Sequence, residues 1–290
     1  MGFFKNIFGK KTCALCGAEC GVMSRTKIKN DEYLCNDCGD KCSKYVRLSE
    51  MTLDEIKRHM GYMERMNKLY EEKAKTESRT VYPSSVKEQA IEFFDGLGMF
   101  AIKERYNTGR GKMNELFRYD QVAEYKEYYE ESRPSEPNAK PEFKECGIKI
   151  KLVGQMTDTM TMQPGLRPHP YIKHEIKICF SKKDPNEISS AHSACTHFNY
   201  IFGINDNQKG LFNFGLSKKE QRDLKAAVGA AKGIGMVLKA VKDGVGEAVD
   251  EAAAKAEFEK HANAVNDGAT NGLAEYSRRA DAAETEFFTN

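Results

Sequence analysis

Two short stretches decide how the beginning of this 290-residue chain folds: residues 13–16, Cys-Ala-Leu-Cys, and residues 35–38, Cys-Asn-Asp-Cys. Each is a CxxC pair, and the 18 residues between them match the spacing of four-cysteine zinc sites. A CxxC turn lets two thiolates converge on one ion, and two such turns complete a tetrahedral shell. A closed shell of four sulfurs leaves no position for water, so the pattern predicts a structural Zn²⁺ without hydrolytic chemistry. The predicted ligands are Cys13, Cys16, Cys35 and Cys38.

The other cysteines bear on the compartment and on the ligand set. Six of the nine cysteines lie between residues 13 and 42, and no stretch near residue 1 reads as a secretion signal. These features favour metal ligation in a reducing compartment over disulfides, so we predict a cytoplasmic protein. Cys20 and Cys42 each follow a CxxC cysteine by four residues. We interpret both as small buried residues packed under the metal loops; replacement of a ligand is the alternative.

Composition and motifs exclude several functional classes. The chain has 45 Lys and Arg residues against 43 Asp and Glu, a formal charge of +2, which argues against a general polyelectrolyte binder. With 40% hydrophobic residues it can bury a core, but no apolar run approaches the roughly 20 residues that span a bilayer. The sequence contains no Walker, HExxH, GxSxG or strand-associated GxGxxG motif, so we predict that the protein is not an enzyme.

A connecting helix is predicted after the cysteine-rich segment. Residues 52–55, Thr-Leu-Asp-Glu, form a capping box, and apolar residues then recur at helical spacing from Ile56 to Tyr70. The methionines of this stripe indicate either ordinary helix packing, which we favour, or an adaptable binding groove. The predicted domains are a zinc ribbon at 1–50, the connecting helix at 51–79, a β domain with its closing helix at 80–215, and C-terminal helices at 216–290.

Alternation typical of β-strands dominates the region from about residue 80 to residue 183. The stretches that read as strands are 98–106, 115–119, 122–128, 146–153 and 174–180. From Ile188 to Phe202, apolar residues then step by three and four positions, which predicts an amphipathic helix. Together these patterns indicate an α+β fold in which one helix closes an antiparallel sheet.

The last part of the chain predicts a helical hairpin. The net charge is +5 over residues 218–242 and −7 over residues 243–290, so two successive helices would attract each other in an antiparallel arrangement. Lysine recurs every seven residues in the first of them and forms a stripe. This stripe indicates a face for a protein partner or for an anionic membrane surface, and protein packing is favoured because its apolar neighbours are small. The stripe includes Lys225, Lys232 and Lys239.

The cysteine-rich segment also resembles a known family. The pattern Cys-x2-Cys-Gly at 13–17, Gly21, a short basic hairpin, and Leu-Cys-x2-Cys at 34–38 before a short helix is similar to an uncharacterised bacterial zinc-ribbon family. The resemblance covers roughly the first 50 residues. It implies that the ribbon opens a longer protein and that a pleckstrin-homology-like β domain follows. In that family aliphatic residues usually occupy the positions of Cys20 and Cys42, which supports packing roles for both.

Two further groups of residues are candidate sites. Basic side chains cluster around the hairpin predicted near residue 107 and indicate a site for phosphate or anionic lipid headgroups; a solvated hairpin is the alternative. The candidate anion-binding residues are Arg105, Arg110, Lys112 and Arg118. His192, Cys195 and His197 suggest a second metal, but residues five apart on a helix diverge and the spacing matches no standard ligand pair.

These patterns favour a non-enzymatic zinc-binding scaffold that binds protein partners or an anionic membrane surface. The alternative is a nucleic-acid-binding zinc ribbon, because the first 50 residues carry nine basic and six acidic side chains. An enzyme is the third hypothesis, and it requires that the side chains of residues 192–197 meet carboxylates in a pocket. No sequence pattern predicts the oligomeric state.

Overall fold

The protein is represented by a computed structural model, which describes residues 9–86, 89–104, 112–132, 142–154, 165–203 and 272–288. In these ranges the chain combines helices with antiparallel sheets, as the sequence predicts. Among the described helices, none has both the length and the apolar character needed to cross a bilayer.

The cysteine-rich segment forms two short β hairpins, each of which presents one CxxC pair. Strand β1 (Lys11–Thr12) pairs with β2 (Glu19–Cys20), β3 (Arg25–Lys27) pairs with β4 (Tyr33–Cys35), and helix α1 (Asn36–Gly39) follows. The strands are only two or three residues long. Isolated hairpins are marginal in water even when longer, so this segment needs another source of stability.

Helix α2 (Leu53–Leu69) connects the ribbon to the larger sheets and continues as a π-helical turn at Tyr70–Ala74. Its capping box forms as predicted. The Glu55 N–H donates to Thr52 Oγ1 at 3.3 Å, and the Thr52 N–H donates to the Glu55 carboxylate at 2.8 Å. Met63, in the apolar stripe, is fully buried, so this methionine packs in the core rather than lining an open groove.

The described residues after α2 form seven strands in two antiparallel sheets. Their bounds are β5 Thr80–Pro83, β6 Gln89–Phe94, β7 Met99–Glu104, β8 Leu116–Arg118, β9 Val122–Glu131, β10 Phe143–Leu152 and β11 Ile176–Ser181. Strands β5 to β8 pair in chain order in one sheet, and β9 to β11 pair in chain order in the other. The sequence pattern predicts β7 to β11 and misses β5 and β6.

Helix α3 (Ile188–Ile201) packs against strands of both sheets, with the apolar stripe that the sequence predicts. The Phe198 ring centroid lies 4.9 Å from that of Phe93, 5.4 Å from that of Phe100 and 4.8 Å from that of Tyr125. These three rings come from β6, β7 and β9, so one side chain joins the two sheets. The same buried core continues into the ribbon.

Helix α4 (Gly272–Phe288) lies beside α2 and contacts the 3₁₀ turns at Asp95–Leu97 and Tyr119–Gln121. The Tyr276 ring packs edge-on against the Tyr119 ring, with 5.2 Å between centroids. Of the predicted C-terminal hairpin, this helix is the part that the structure describes. Lys225, Lys232 and Lys239 lie outside the described residues. The hairpin and its lysine stripe therefore stay predictions.

Gly98→Ala is expected to weaken the docking of α4. Gly98 has a φ of +63°, and a Cβ there would collide with the backbone carbonyl of Tyr276. Backbone strain and the collision together are expected to lower the free energy of unfolding by roughly 2–4 kcal/mol, measured by urea denaturation. Gly203→Ala is the matched control, because Gly203 has a φ of +65° but open space around a Cβ, so it carries the strain alone. Equal losses in both variants would contradict the close approach of α4.

Candidate metal centre

Four thiols converge in the ribbon. The Sγ atoms of the two CxxC pairs all lie within 4.8 Å of one another, and Cys16 Sγ is 3.7 Å from Cys35 Sγ. A tetrahedral shell with Zn–S bonds of about 2.3 Å requires sulfurs about 3.8 Å apart. The spacing of the thiols therefore fits one four-coordinate metal ion. The predicted ligand set is the set that the structure brings together: Cys13, Cys16, Cys35 and Cys38.

The first CxxC turn is shaped by its own backbone. The Gly17 N–H donates to the Cys13 carbonyl at 2.9 Å, and the Cys13 N–H donates to the Ala18 carbonyl at 2.8 Å. Gly17 has a φ of +76°, a conformation that a residue without a Cβ adopts readily. The Ala14 N–H donates to the Tyr33 carbonyl at 2.8 Å, which ties this turn to the strand that carries the second pair.

The second CxxC turn begins where β4 ends. Cys35 is the last residue of that strand, where it pairs with Arg25, and it precedes the first turn of α1. Cys38 lies within α1, and its carbonyl accepts a hydrogen bond from the Lys41 N–H at 3.3 Å. The change from strand to helix at Cys35 aims both sulfurs of this pair at the first pair.

Backbone donors favour a thiolate at one of the four positions. Burial raises the pKa of the Cys13 thiol, but N–H groups of Cys16, Cys35 and Leu15 that point at its sulfur outweigh this, and the pKa falls to about 6. Burial raises the pKa of Cys38 well above its usual range, and the neighbouring thiols raise it further. Clustered thiolates repel one another unless a cation lies between them, so a divalent ion is the natural counter-charge for this site.

The donor set limits the chemistry of the centre. Sulfur ligands in a tetrahedral arrangement select zinc or iron–sulfur centres over Mg²⁺ or Ca²⁺, which prefer oxygen. Three of the four thiols are buried, and Cys16 is exposed. With all four positions taken by sulfur, the site has the closed form of structural centres rather than the open form of catalytic ones.

Cys20 and Cys42 lie outside the four-thiol cluster. Both are buried among the apolar residues of the core, and Cys20 Sγ donates to the Lys11 carbonyl at 3.1 Å. This placement favours packing over ligation for both residues. None of the nine cysteines forms a disulfide in the structure, so no disulfide competes with the metal for sulfur.

The comparisons with known proteins bear on this part of the chain. Residues 12–59 match a domain of unknown function, DUF4428. The DUF4428 segment contains both CxxC pairs and extends beyond the ribbon to His59 in α2. Neither the curated proteins nor the solved structures provide a match to the chain.

The predicted anion-binding residues have different surroundings. Arg105 and Arg110 lie outside the described residues, and Lys112 Nζ pairs with the Asp40 carboxylate at 2.7 Å. Arg118 is buried, and its guanidinium contacts carboxylates of Asp120, Asp281 and Glu284 at 2.7–2.9 Å. This corrects the placement of Arg118 among surface contacts, because carboxylates of the protein itself surround its charge. For the other three residues anion binding stays a prediction.

The histidines and the cysteine of α3 do not form a second metal site in the described structure. His192 Nδ1 lies 2.8 Å from the Glu127 carboxylate, whereas His197 Nε2 lies 3.1 Å from the Asp95 carboxylate. Cys195 is buried in the apolar face, and this burial raises the pKa of its thiol well above its usual range. The three side chains therefore diverge, as helical spacing predicts.

A buried polar contact that the sequence analysis missed joins the DUF4428 segment to the sheet. Ser43 Oγ donates to Glu115 Oε2 at 2.6 Å, and the Ser43 N–H donates to His59 Nε2 at 3.0 Å. Burial raises the pKa of Glu115 to about 7, although the hydrogen bond from Ser43 opposes this, and burial lowers the pKa of His59 to about 4. His59 follows Ile56 by three residues on the apolar face of α2, which is the one signal that could have revealed it.

Glu115→Gln is expected to flatten part of the pH dependence of stability. The pKa of about 7 in the folded state exceeds the ordinary value of 4.5, so between these values the folded protein holds a proton that the unfolded chain releases. The contribution of Glu115 is therefore full below about pH 4 and falls by about 3 kcal/mol as the pH rises to about 7. Gln removes this dependence, because it stays neutral.

The measurement is the free energy of unfolding in urea at pH 5 and at pH 8. The difference between wild type and Glu115→Gln isolates this carboxyl from His59, whose lowered pKa acts with the opposite sign and is common to both proteins. Glu142→Gln, at an exposed carboxylate, is the control and should follow the wild-type profile. A Glu115→Gln profile that also follows wild type would contradict the buried contact with Ser43.

Proposed function

We propose that this chain is a non-enzymatic, cytoplasmic zinc-binding interaction protein. In this proposal one structural Zn²⁺ holds the ribbon, and the rest of the chain presents surfaces to a protein partner or to an anionic membrane. The observation that carries the proposal is the convergence of four thiols from two CxxC turns within 4.8 Å. A site closed by sulfur supports structure rather than hydrolysis.

Zinc is the ion that this donor set fits best. The sulfur spacing matches a single tetrahedral ion, and the CxxC spacing is that of zinc ribbons. The strands of the ribbon are too short to hold themselves, so the ion would contribute folding free energy directly. When bound, the zinc would cross-link the β1–β2 turn to the β4–α1 junction. Partners would be contacted by residues of the chain and not by the ion.

The second part of the proposal concerns the seven-stranded region. A four-stranded meander, a three-stranded meander and one helix that follows them have the element order of a pleckstrin-homology-like domain, which the resemblance of the ribbon also implies. Domains of this architecture serve many functions, so the fold alone does not identify a ligand. The feature of this region that supports an interaction role is therefore the arrangement of its strands and helix.

A nucleic-acid-binding ribbon is the second candidate. It is favoured by one observation, the position of two cationic side chains over an aromatic ring on the ribbon surface. Lys11 Nζ lies 5.6 Å from the Tyr33 ring centroid, and the Arg25 guanidinium lies 5.0 Å from it. Stacking rings among cations are typical of single-strand binders. The same arrangement also suits lipid headgroups, so the two candidates require a direct comparison.

The test of the zinc proposal is the metal content of the full chain purified without chelators. Elemental analysis is expected to find about one zinc per chain. Removal of that zinc with a chelator should increase hydrogen exchange in residues 11–48 and leave exchange in β9–β11 nearly unchanged. A metal-free protein with the same exchange protection as the purified one would contradict the proposed structural role.

A further inference from the structure

A cleft of about 320 Å³ lies where the DUF4428 segment meets the loop that precedes β11. Its two walls belong to residues 47–58, which include the start of α2, and to residues 170–174. The first wall carries Arg47 and Arg58, and the second carries Lys173 and His174. Clefts of this size at the junction of two parts of a fold are typical of small-molecule sites. This junction cleft is therefore a candidate binding site outside the metal centre.

Both walls of the junction cleft are held by hydrogen bonds to the rest of the fold. The buried His169 ring accepts at Nδ1 from the Tyr171 N–H at 3.3 Å and from the Ile172 N–H at 2.9 Å. Burial lowers the pKa of His169 to about 3, so Nδ1 stays an acceptor. On the other wall the Met51 carbonyl accepts from the Lys29 N–H at 3.0 Å. A ligand therefore meets a preformed cleft and loses little affinity to ordering of the chain.

The carboxylates of the junction cleft already have partners within the protein. The Glu50 carboxylate lies 3.1 Å from Arg47 Nη1 and 3.4 Å from His174 Nε2. The Glu55 carboxylate belongs to the capping box of α2, and hydrogen bonds from Thr52 lower its pKa. Both acids therefore serve the local structure of the walls.

Two cations of the junction cleft stay available to a ligand. Arg58 and Lys173 are exposed, and in the part of the chain that the structure describes neither of them forms an ion pair. They lie on opposite walls, and the half-buried side chains of Met51 and Tyr171 line the same cleft. Two cations beside apolar surface are complementary to a ligand with an anionic head and an apolar body.

The anion that fits this pair of cations best is a phosphomonoester. It carries a charge of about −1.5 to −2 at pH 7 and three terminal acceptor oxygens, so one group contacts Arg58 and Lys173 together. A carboxylate carries a single charge and two oxygens in one plane, which suits one cation. The phosphomonoester therefore matches both the charge of the two side chains and their placement on opposite walls.

We propose that the junction cleft binds a small molecule that carries a phosphomonoester group. Arg58 and Lys173 contact the phosphate oxygens from the two walls, and Met51 and Tyr171 pack against the body of the ligand. Soluble phosphorylated metabolites and the headgroup of phosphatidic acid both present this group. The inference goes beyond the proposed function and does not depend on the metal centre.

The first test is calorimetric titration of the zinc-loaded full chain with three compounds. Phenyl phosphate is expected to bind at least about tenfold more tightly than benzoate, which has the same ring but only one carboxylate. It is also expected to bind at least about tenfold more tightly than inorganic phosphate, which lacks the ring. Benzoate binding as tight as that of phenyl phosphate would overturn the phosphate site, and inorganic phosphate binding as tight would overturn the apolar contact.

Substitutions locate the binding in the junction cleft. Arg58→Ala and Lys173→Ala are each expected to weaken phenyl phosphate binding at least about tenfold, since each removes a charge-assisted contact. Lys57→Ala, on α2, and Lys183→Ala, after β11, remove cations outside the cleft and should bind as wild type does. All four side chains are exposed, and the melting temperature and zinc content of each variant check the fold. Equal losses in the cleft variants and the control variants would indicate general charge attraction and overturn the proposal.

Vesicles identify the source of the phosphomonoester. Phosphatidic acid presents this group at the vesicle surface, whereas phosphatidylglycerol presents a phosphodiester. Binding to phosphatidic acid alone, weakened by Arg58→Ala, would support the site with a lipid headgroup as its ligand. Binding of phenyl phosphate without binding to vesicles would support it with a soluble ligand. A chain that binds neither overturns the inference and leaves the zinc proposal intact, because zinc content is measured separately.

Discussion

Cys38→Ser is expected to abolish zinc binding and to unfold the ribbon while the seven-stranded region stays folded. Zinc binding in four-ligand finger peptides is worth about 10–16 kcal/mol, and loss of one thiolate removes several kcal/mol of it. The ribbon strands are two or three residues long, so they cannot replace that stabilisation. The measurements are zinc content by elemental analysis and hydrogen exchange of residues 11–48.

The controls for this variant also address the remaining ligand question. Cys20→Ala and Cys42→Ala remove thiols that lie outside the four-sulfur cluster, so both proteins should keep about one zinc per chain. Cys179→Ser, at a half-buried thiol in β11, should keep both the zinc and the exchange protection. Loss of zinc in Cys20→Ala, with retention in Cys38→Ser, would contradict the assigned ligand set.

Arg118→Met is expected to lower the free energy of unfolding by about 3–5 kcal/mol. The Arg118 side chain is 5% exposed, and the side chain of Asp120, which it contacts at 2.7 Å, is fully buried. Methionine fills much of the volume but leaves that carboxylate without its main counter-charge. Asp281 and Glu284 of α4 lose the same cation, so α4 should detach first. Urea denaturation and hydrogen exchange of residues 272–288 measure the two effects.

Two further variants distinguish the effect of losing the buried Arg118 charge from the effect of losing any arginine. Arg278→Ala removes an exposed arginine on α4 that pairs with Glu275, and exposed pairs contribute about 0–1 kcal/mol. Asp120→Leu in the Arg118→Met background removes the buried carboxylate that has lost its closest cation and should recover part of the lost stability. An Arg118→Met protein no less stable than Arg278→Ala would contradict the buried network.

The sequence predicts those elements whose signal is local. In β10 the buried Ile148 and Ile150 alternate with the more exposed Lys149 and Lys151, because one face of this strand meets solvent. Strand β6 lacks such alternation, since both of its faces are covered. Its Phe93 packs in the core under α3, whereas the adjacent Phe94 packs in the core under α2 and α4.

The candidate site follows the same physical rule. The four cysteines are predictable because two residues separate the thiols of each pair, and a tight turn alone brings those thiols together. Arg118 looks like a surface cation in the sequence because it lies near a predicted hairpin. One of its partners, Glu284, is 166 positions away along the chain, and a local sequence pattern cannot reveal a partner at that separation. Charge partners of this kind are visible only in the folded chain.

Because Arg118 lies far from α4 in the sequence, the ribosome translates the sheets well before the helix that packs against them. At about 5–20 residues per second, translation of the 166 positions between Arg118 and Glu284 takes roughly 10–30 s. Throughout that interval Arg118 and the 3₁₀ turns at Asp95–Leu97 and Tyr119–Gln121 lack the contacts that α4 makes with them in the folded chain. The docking of α4 is therefore a late step in the folding of the newly made chain.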